Sequence, residues 1–114
     1  MQIQTNTDSN ITGSEGLAAQ AKTIVEGALA RFSDQITRVE IHLSDENGPG
    51  FGAEDKPRFG VEDKRCMMEA RLEGRRPIAV THQAATLEQA MDGAADKLKR
   101  SIESTLGRLR DIGT

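Results

Sequence analysis

Polar and hydrophobic side chains alternate along several short stretches of this chain, and such alternation predicts β-strands that bury one face. The cleanest example is residues 37–44, in which hydrophobic side chains occupy every second position. Residues 64–72 follow the same pattern, and residues 1–7 follow it with less apolar content. Residues 77–82 form the last predicted strand. Pro77 is tolerated at its start, because a proline there removes no internal hydrogen-bond donor from the sheet.

Two longer stretches place hydrophobic residues every three or four positions, which indicates amphipathic helices. The first helix is predicted to open near residue 13, behind a capping box formed by Thr12 and Glu15. The second helix repeats this signal with Thr86 and Gln89. The stripe of the first helix comprises Leu17, Ala21, Ile24, Val25, Ala28, Leu29 and Phe32. The stripe of the second comprises Leu87, Met91, Ala94, Leu98, Ile102, Leu106 and Leu109.

The order of these elements, β-α-β-β-β-α, predicts an α+β domain over residues 1–114. Each helix has one stripe to bury and the strands offer apolar faces, so a four-stranded sheet with two helices packed on one face is the economical arrangement. The opposite face is then open and polar. Its predicted residues are Arg38, Glu40, His42, Arg65, Glu69 and Arg71.

Residues 45–63 break the regular pattern with six acidic residues, two basic residues and two of the three prolines of the chain. Irregular segments of this length are uncommon inside compact domains. We therefore expect a long, mobile, acidic hairpin loop between the second and third strands.

Composition narrows the class of protein. Hydrophobic residues make up 36% of the chain and aromatic residues only 3%, so the core is built from aliphatic side chains and methionine. An apolar run of about 18 residues, which a membrane span requires, is missing from the sequence. Residues 1–20 show no basic start followed by an apolar stretch, so no secretory signal is expected. The single Cys66 cannot form an internal disulfide, which suits a reducing cytoplasm.

The formal net charge of −3 argues against simple nucleic-acid binding, but the basic residues are concentrated in two segments. Residues 97–110 hold five basic residues and one acidic residue. Lys97 and Arg108 lie together along one edge of the last helix, with Arg100 a little further round. Bases at the edge can rest their stems on apolar surface and still reach phosphate. The alternative is a solvated helix face whose basic residues are favoured by the helix dipole.

The second basic segment, residues 64–76, holds five basic and two acidic residues. Arg75 and Arg76 lie in the tight turn after the third strand and can extend a phosphate-binding surface. The alternative is a charged hairpin tip that protects the sheet against aggregation.

Catalytic and metal chemistry find little support in the sequence. His42 and His82 have no nearby Cys or His partners at the spacing of a zinc site. Cys66 has no neighbouring base to activate it and is interpreted as a small buried residue. The glycine-rich residues 48–52 lack the Lys-Ser/Thr of a phosphate-binding loop. We therefore expect no enzyme activity, cofactor, metal, membrane contact or small-molecule substrate.

Five motifs resemble the ribosome hibernation-promoting factor family, the ribosome-associated inhibitors of bacteria and plastids. They cover nearly the whole chain apart from residues 45–63. The motifs are Met1-Gln2-Ile3-Gln4 leading to Ile11-Thr12, Phe32 running through Ile36-Thr37 into Arg38-Val39-Glu40-Ile41-His42-Leu43, Arg75-Arg76-Pro77 with Ile78-Ala79-Val80, Thr86-Leu87-Glu88-Gln89-Ala90-Met91, and Ala94-Ala95-Asp96-Lys97-Leu98-Lys99-Arg100.

This resemblance implies a β-α-β-β-β-α fold and a partner, the small ribosomal subunit, bound where mRNA and tRNA pass. It implies a stress-response protein, similar to the short form of the family, that silences idle ribosomes by occupying the decoding channel. The rRNA-binding residues that it implies are Lys97, Arg100 and Arg108 on the last helix, Lys22 and Arg31 on the first helix, and Arg75 and Arg76 in the turn.

The sequence departs from the family pattern in two places. The middle of the first helix, residues 23–27, carries fewer basic residues than is usual in the family, and residues 45–63 form a longer connection. The alternative function is therefore a stress-related protein-binding module on the same fold that has lost tight ribosome binding. Its protein partner would contact the acidic loop or the open sheet face.

Overall fold

The computed structural model of the chain describes residues 1–8, 11, 13–45 and 63–112, with only the backbone at residue 14 and at residues 107–112. The elements follow the predicted order. They are β1 (Gln2–Thr7), α1 (Ser14–Ala28), a short 3-10 helix (Ala30–Phe32), β2 (Ile36–Asp45), β3 (Lys64–Leu72), β4 (Ile78–Ala84) and α2 (Leu87–Ile112). The expected acidic loop at residues 45–63 lies outside the described residues, apart from its two ends.

The four strands form one sheet in the order β1-β2-β3-β4. β1 runs parallel to β2, as the α1 crossover between them requires, whereas β2, β3 and β4 are antiparallel neighbours. The register places Ile41 opposite Met68, and Met68 opposite Val80. The hydrophobic side chains of adjacent strands therefore share one face of the sheet.

Both helices cover that face, so the predicted α+β architecture is confirmed. α1 packs against β1 and α2, while α2 covers β3 and β4. Val25 and Leu29 enter the core from the first helical segment, and Leu98 and Ile102 enter it from α2. All four are fully buried, and each contributes about 1.5–3 kcal/mol of hydrophobic stabilisation.

The helix starts differ in how they are capped. Gln89 donates its backbone N–H to the hydroxyl oxygen of Thr86 over 3.1 Å, which confirms the predicted cap of α2. The N-cap of α1 is Gly13, with φ at 73° and no side-chain cap, rather than the predicted Thr12. Glycine adopts this left-handed conformation without the steric cost that a Cβ imposes.

The first helix is also shorter than its hydrophobic stripe. α1 ends at Ala28, Leu29 leaves the helical region with φ at −108°, and the chain continues as the 3-10 helix. Phe32 remains buried at the end of that segment. The prediction of one helix running to Phe32 was therefore wrong in its last turn.

The opposite face of the sheet is polar, as predicted. Arg38 lies opposite Arg71 and Glu40 lies opposite Glu69 in the β2–β3 register. Each arginine is neutralised along its own strand, since Arg38 is 2.7 Å from Glu40 and Arg71 is 3.4 Å from Glu69. These ion pairs offset the repulsion between the like charges that lie opposite each other on β2 and β3.

Cys66 lies on the helix-covered face and is fully buried. Removal from water raises the pKa of its thiol to about 12, so the sulfur stays protonated and unreactive at neutral pH. This supports its interpretation as a small core residue. Among the residues that the structure describes, neither α1 nor α2 combines the length with the apolar content that a membrane span requires.

Candidate nucleic-acid interface

We call α1, the 3-10 helix and α2 together the helix layer. The predicted phosphate-binding bases lie mainly on the outer surface of this layer, and α2 carries the central ones. Lys97 lies on the side of α2 that overhangs β4. Its Nζ donates to the backbone carbonyl oxygen of Thr81 over 2.9 Å. This bond holds the ammonium group at the edge of the sheet, and two of its three N–H donors remain for another ligand.

Arg100 lies on the outward side of α2, farthest from the sheet. Its side chain is 77% exposed, and its Nε is 3.1 Å from a carboxylate oxygen of Asp96, one turn earlier. The guanidinium group is therefore accessible to a large partner, but it already has an anionic neighbour. Four-residue spacing on a helix brings these two side chains together.

Arg31 extends this surface from the 3-10 helix. Its guanidinium carbon lies 5.2 Å from the centre of the Phe32 ring, within the range of a cation–π contact. Its NH1 is 3.3 Å from a carboxylate oxygen of Glu103 on α2. The pair links the end of the first helical segment to the second half of α2.

Arg75 and Arg76 are exposed in the β3–β4 turn. Arg75 lines a groove at that end of the sheet together with Asp34, Glu73 and Leu106. Leu106 is one turn beyond Glu103, the partner of Arg31. The structure therefore brings the turn, the 3-10 helix and the second half of α2 to the same end of the molecule.

Lys22 lies apart from the other predicted bases. It lines a groove along the β1 edge with Ile3, Gln4 and Arg38, whereas Lys97 lies at the β4 edge. Four strands at a spacing of about 4.8 Å put these edges about 14 Å apart. A partner must span the whole helix layer to contact both lysines. Arg108, the remaining predicted base of α2, has a side chain that lies outside the described part of the structure.

The sequence-based prediction named these bases but missed the acidic partners of Arg100 and Arg31. The four-residue spacing of Asp96 and Arg100 could have revealed the first pair. Arg31 and Glu103 are 72 positions apart, so no local signal could have revealed the second. The result is a surface of mixed charge rather than a continuous basic patch.

A second cluster of charges joins the two ends of the segment between β2 and β3. Lys64 Nζ lies 3.3 Å from Asp45 and 3.0 Å from Asp63. Burial alone would lower the pKa of Lys64, but its hydrogen bonds to both carboxylates outweigh that effect and raise the pKa. Asp45 also donates its backbone N–H to a carboxylate oxygen of Asp8 over 3.2 Å. These contacts are structural, since they tie β1, β2 and β3 together at one end of the sheet.

The described residues contain no group of three or more His, Cys, Asp or Glu side chains that could hold a metal ion. What the helix layer offers is a set of exposed guanidinium and ammonium groups on rigid elements. Such groups suit binding to a polyanion.

Comparison with known proteins identifies a family whose model matches most of the chain. A family model described as sigma 54 modulation protein / S30EA ribosomal protein matches residues 4–110. A search among curated protein sequences gives no match.

Two solved structures share the fold. The crystal structure of the Thermus thermophilus Protein Y N-terminal domain has a TM-score of 0.66 and 17% identity, with 92% of this chain and 99% of that chain covered. A ribosomal subunit interface protein from Coxiella burnetii has a TM-score of 0.61 and 15% identity, with 94% and 99% covered. At these identities the two structures support the fold alone.

Proposed function

Because this chain belongs to the sigma 54 modulation protein / S30EA ribosomal protein family, we propose that it is a cytoplasmic translation inhibitor that binds small-subunit rRNA and blocks the decoding channel. The proposed mechanism is occupancy. The folded domain fills the path of mRNA and tRNA and makes or breaks no covalent bond.

The observation that carries this proposal is the family match together with the placement of the bases. Lys97, Arg100 and Arg31 are exposed on the helix layer, and Arg75 and Arg76 flank it at one end. The helix fixes the backbone that carries Lys97 and Arg100, so little backbone freedom is lost when phosphates bind these two side chains. The name of the Coxiella burnetii protein, a ribosomal subunit interface protein, agrees with the same partner class.

The first test is binding to purified bacterial ribosomes at a series of salt concentrations. The chain should sediment with the small subunit, and its affinity should fall steeply as salt rises, because phosphate contacts release counterions. Binding that persists unchanged at high salt, or binding to a protein partner alone, would favour the protein-binding module instead.

A matched pair of double variants locates the contact surface. Lys97→Gln with Arg100→Gln should weaken binding by about fivefold and make the salt slope shallower by about one to two units, because each full phosphate contact counts for about one unit and Arg100 is already paired with Asp96. Arg65→Gln with Arg71→Gln removes the same charge from the open sheet face and should weaken binding by less than about threefold, because charges there act on the ribosome only at long range. Equal losses in both variants would contradict docking through the helix layer.

Occupancy of the decoding channel has its own test. Ribosomes already carrying mRNA and tRNA should exclude the chain, and the chain should inhibit translation initiation in proportion to the ribosomes it occupies. Undiminished binding to such programmed ribosomes would place the chain elsewhere on the small subunit.

A further inference from the structure

The two arginines of the helix layer whose side chains the structure describes are each held by a carboxylate. Arg100 pairs with Asp96 at 3.1 Å, and Arg31 pairs with Glu103 at 3.3 Å. Asp96, Arg100 and Glu103 are spaced by four and three residues, so they follow one side of α2. Arg31 continues the line from the 3-10 helix. We call this alternating row of two acids and two bases the charge row.

The charge row carries no net charge, although residues 97–110 contain five basic residues and a single acid. A phosphate that docks on Arg100 or Arg31 must displace a carboxylate from the same N–H donors. The displaced carboxylate then stays within a few ångströms of the phosphate and repels it, because it is anchored to the same helix. Fewer phosphate charges are neutralised than the number of arginines indicates.

The pairs are too exposed to be explained by folding stability. The exposed fractions of the side chains are 77% and 55% for Arg100 and Asp96, and 66% and 39% for Arg31 and Glu103. Ion pairs in such positions contribute little to stability because water and salt screen them. Removing the acids should therefore leave the fold intact and change only the surface that they neutralise.

We propose that Asp96 and Glu103 set the affinity of the chain for the ribosome, by competing with rRNA phosphate for the guanidinium groups of Arg100 and Arg31. The proposal rests on the proposed function, since it describes how the same surface is regulated. The acids keep binding weak and easily reversed by salt. A chain without them binds rRNA more tightly than the natural one.

The test uses the full chain and two charge-matched double variants. Asp96→Asn with Glu103→Gln frees both arginines of the charge row. Glu40→Gln with Glu69→Gln is the control, because it removes two carboxylates that also pair with arginines but lie on the opposite face of the sheet. Both variants change the net charge from −3 to −1. Dissociation constants for purified ribosomes are measured by co-sedimentation at several salt concentrations, and thermal melts check folding.

The expected result is that Asp96→Asn with Glu103→Gln binds about tenfold more tightly, about threefold for each freed arginine, with a salt slope steeper by up to about two units. The control should change affinity by less than about twofold. A natural chain that fails to bind, with binding gained by the charge-row variant alone, would also support the proposal.

Three other outcomes overturn it. If both variants bind the ribosome more tightly by the same factor, the net charge of the chain alone determines the change in affinity. No tightening in the charge-row variant means that the acids do not compete, and salt-sensitive binding by the natural chain would then still uphold the proposed function. Binding by none of the three chains, at any salt concentration, would refute both the proposal and the proposed function.

Discussion

At the scale of single residues, Gly93 on α2 shows how the sheet restricts a helix position. A glycine inside a helix normally costs about 1 kcal/mol relative to alanine. Here a Cβ on residue 93 would overlap the ring of His82 on β4, which packs directly against the α2 backbone. The close approach of helix and strand therefore requires the missing side chain.

This contact predicts opposite effects for two Gly→Ala substitutions. Gly93→Ala should lower the free energy of unfolding by about 1–3 kcal/mol, because the His82 ring or the helix must shift to admit the methyl group. Gly27→Ala on α1 should raise it by about 0.5–1 kcal/mol, since no atom beyond the adjoining residues and the backbone of α1 itself lies within 4 Å of the place that the new methyl group would take. Urea denaturation measures both.

The control for this prediction is His82→Ala combined with Gly93→Ala. Removing the ring should recover part of the stability lost in Gly93→Ala, which a double-mutant cycle detects. If Gly93→Ala stabilises the protein as Gly27→Ala does, the close packing of His82 on α2 is wrong.

The partners of individual basic residues also explain why a count of basic residues does not describe the charge of the helix layer. Arg100 and Arg31 each have a carboxylate partner, and Lys97 donates to a backbone carbonyl oxygen. By contrast, Lys22, Arg75 and Arg76 form no ion pair with any described residue. The availability of each charge to a partner therefore depends on its neighbours, which composition does not report.

At the scale of elements, the strands were predicted well because alternation is a direct consequence of strand geometry. β3 begins and ends as predicted, at Lys64 and Leu72. β4 extends two residues beyond the prediction, to Ala84, because Gln83 and Ala84 pair with the start of β3. Such pairing depends on the neighbouring strand and leaves no trace in the local pattern.

The end of α1 was predicted less well for a different reason. A 3-10 helix has three residues per turn, so hydrophobic residues three apart, such as Leu29 and Phe32, fit both helix types. The spacing predicted that both residues would be buried, which is correct. It could not show that the backbone changes from one helix type to the other between them.

The ion pairs of Lys64 with Asp45 and Asp63 are predicted to stabilise one end of the sheet. Lys64→Met should lower the free energy of unfolding by about 1–3 kcal/mol, because Asp45 and Asp63 then lose the ammonium group that bridges their carboxylates. Their side chains are only 17% and 10% exposed, so water screens them weakly.

Arg65→Met is the matched control, since the neighbouring Arg65 is exposed on the open sheet face. It should change stability by no more than about 0.5 kcal/mol. Equal effects in urea denaturation would mean that the Lys64 bridge adds nothing beyond an ordinary surface charge.

At the scale of the whole molecule, the proposed contact surface has two edges. Lys22 lies along β1 and Lys97 overhangs β4, with the full width of the helix layer between them. A partner that contacts both must be large and follow the convex surface of two helices. Folded rRNA meets that requirement, whereas a short peptide does not.

This geometry predicts independent contributions from the two edges. Lys22→Gln and Lys97→Gln should each weaken ribosome binding by about threefold, and the double variant by about tenfold, because sites this far apart act additively. Co-sedimentation at one fixed salt concentration measures all three. If Lys22→Gln has no effect, the interface is confined to α2, the 3-10 helix and the β3–β4 turn.

The sequence by itself determined the order of the elements and which side of each is buried, because hydrophobic periodicity records the contact of each residue with the core. The tertiary structure alone decided which elements became neighbours. It placed β1 parallel to β2, paired Arg31 with a glutamate 72 positions away, and separated Lys22 from Lys97 across the sheet. Local patterns carry no information about such distant pairs, since they depend on how the whole chain closes around its core.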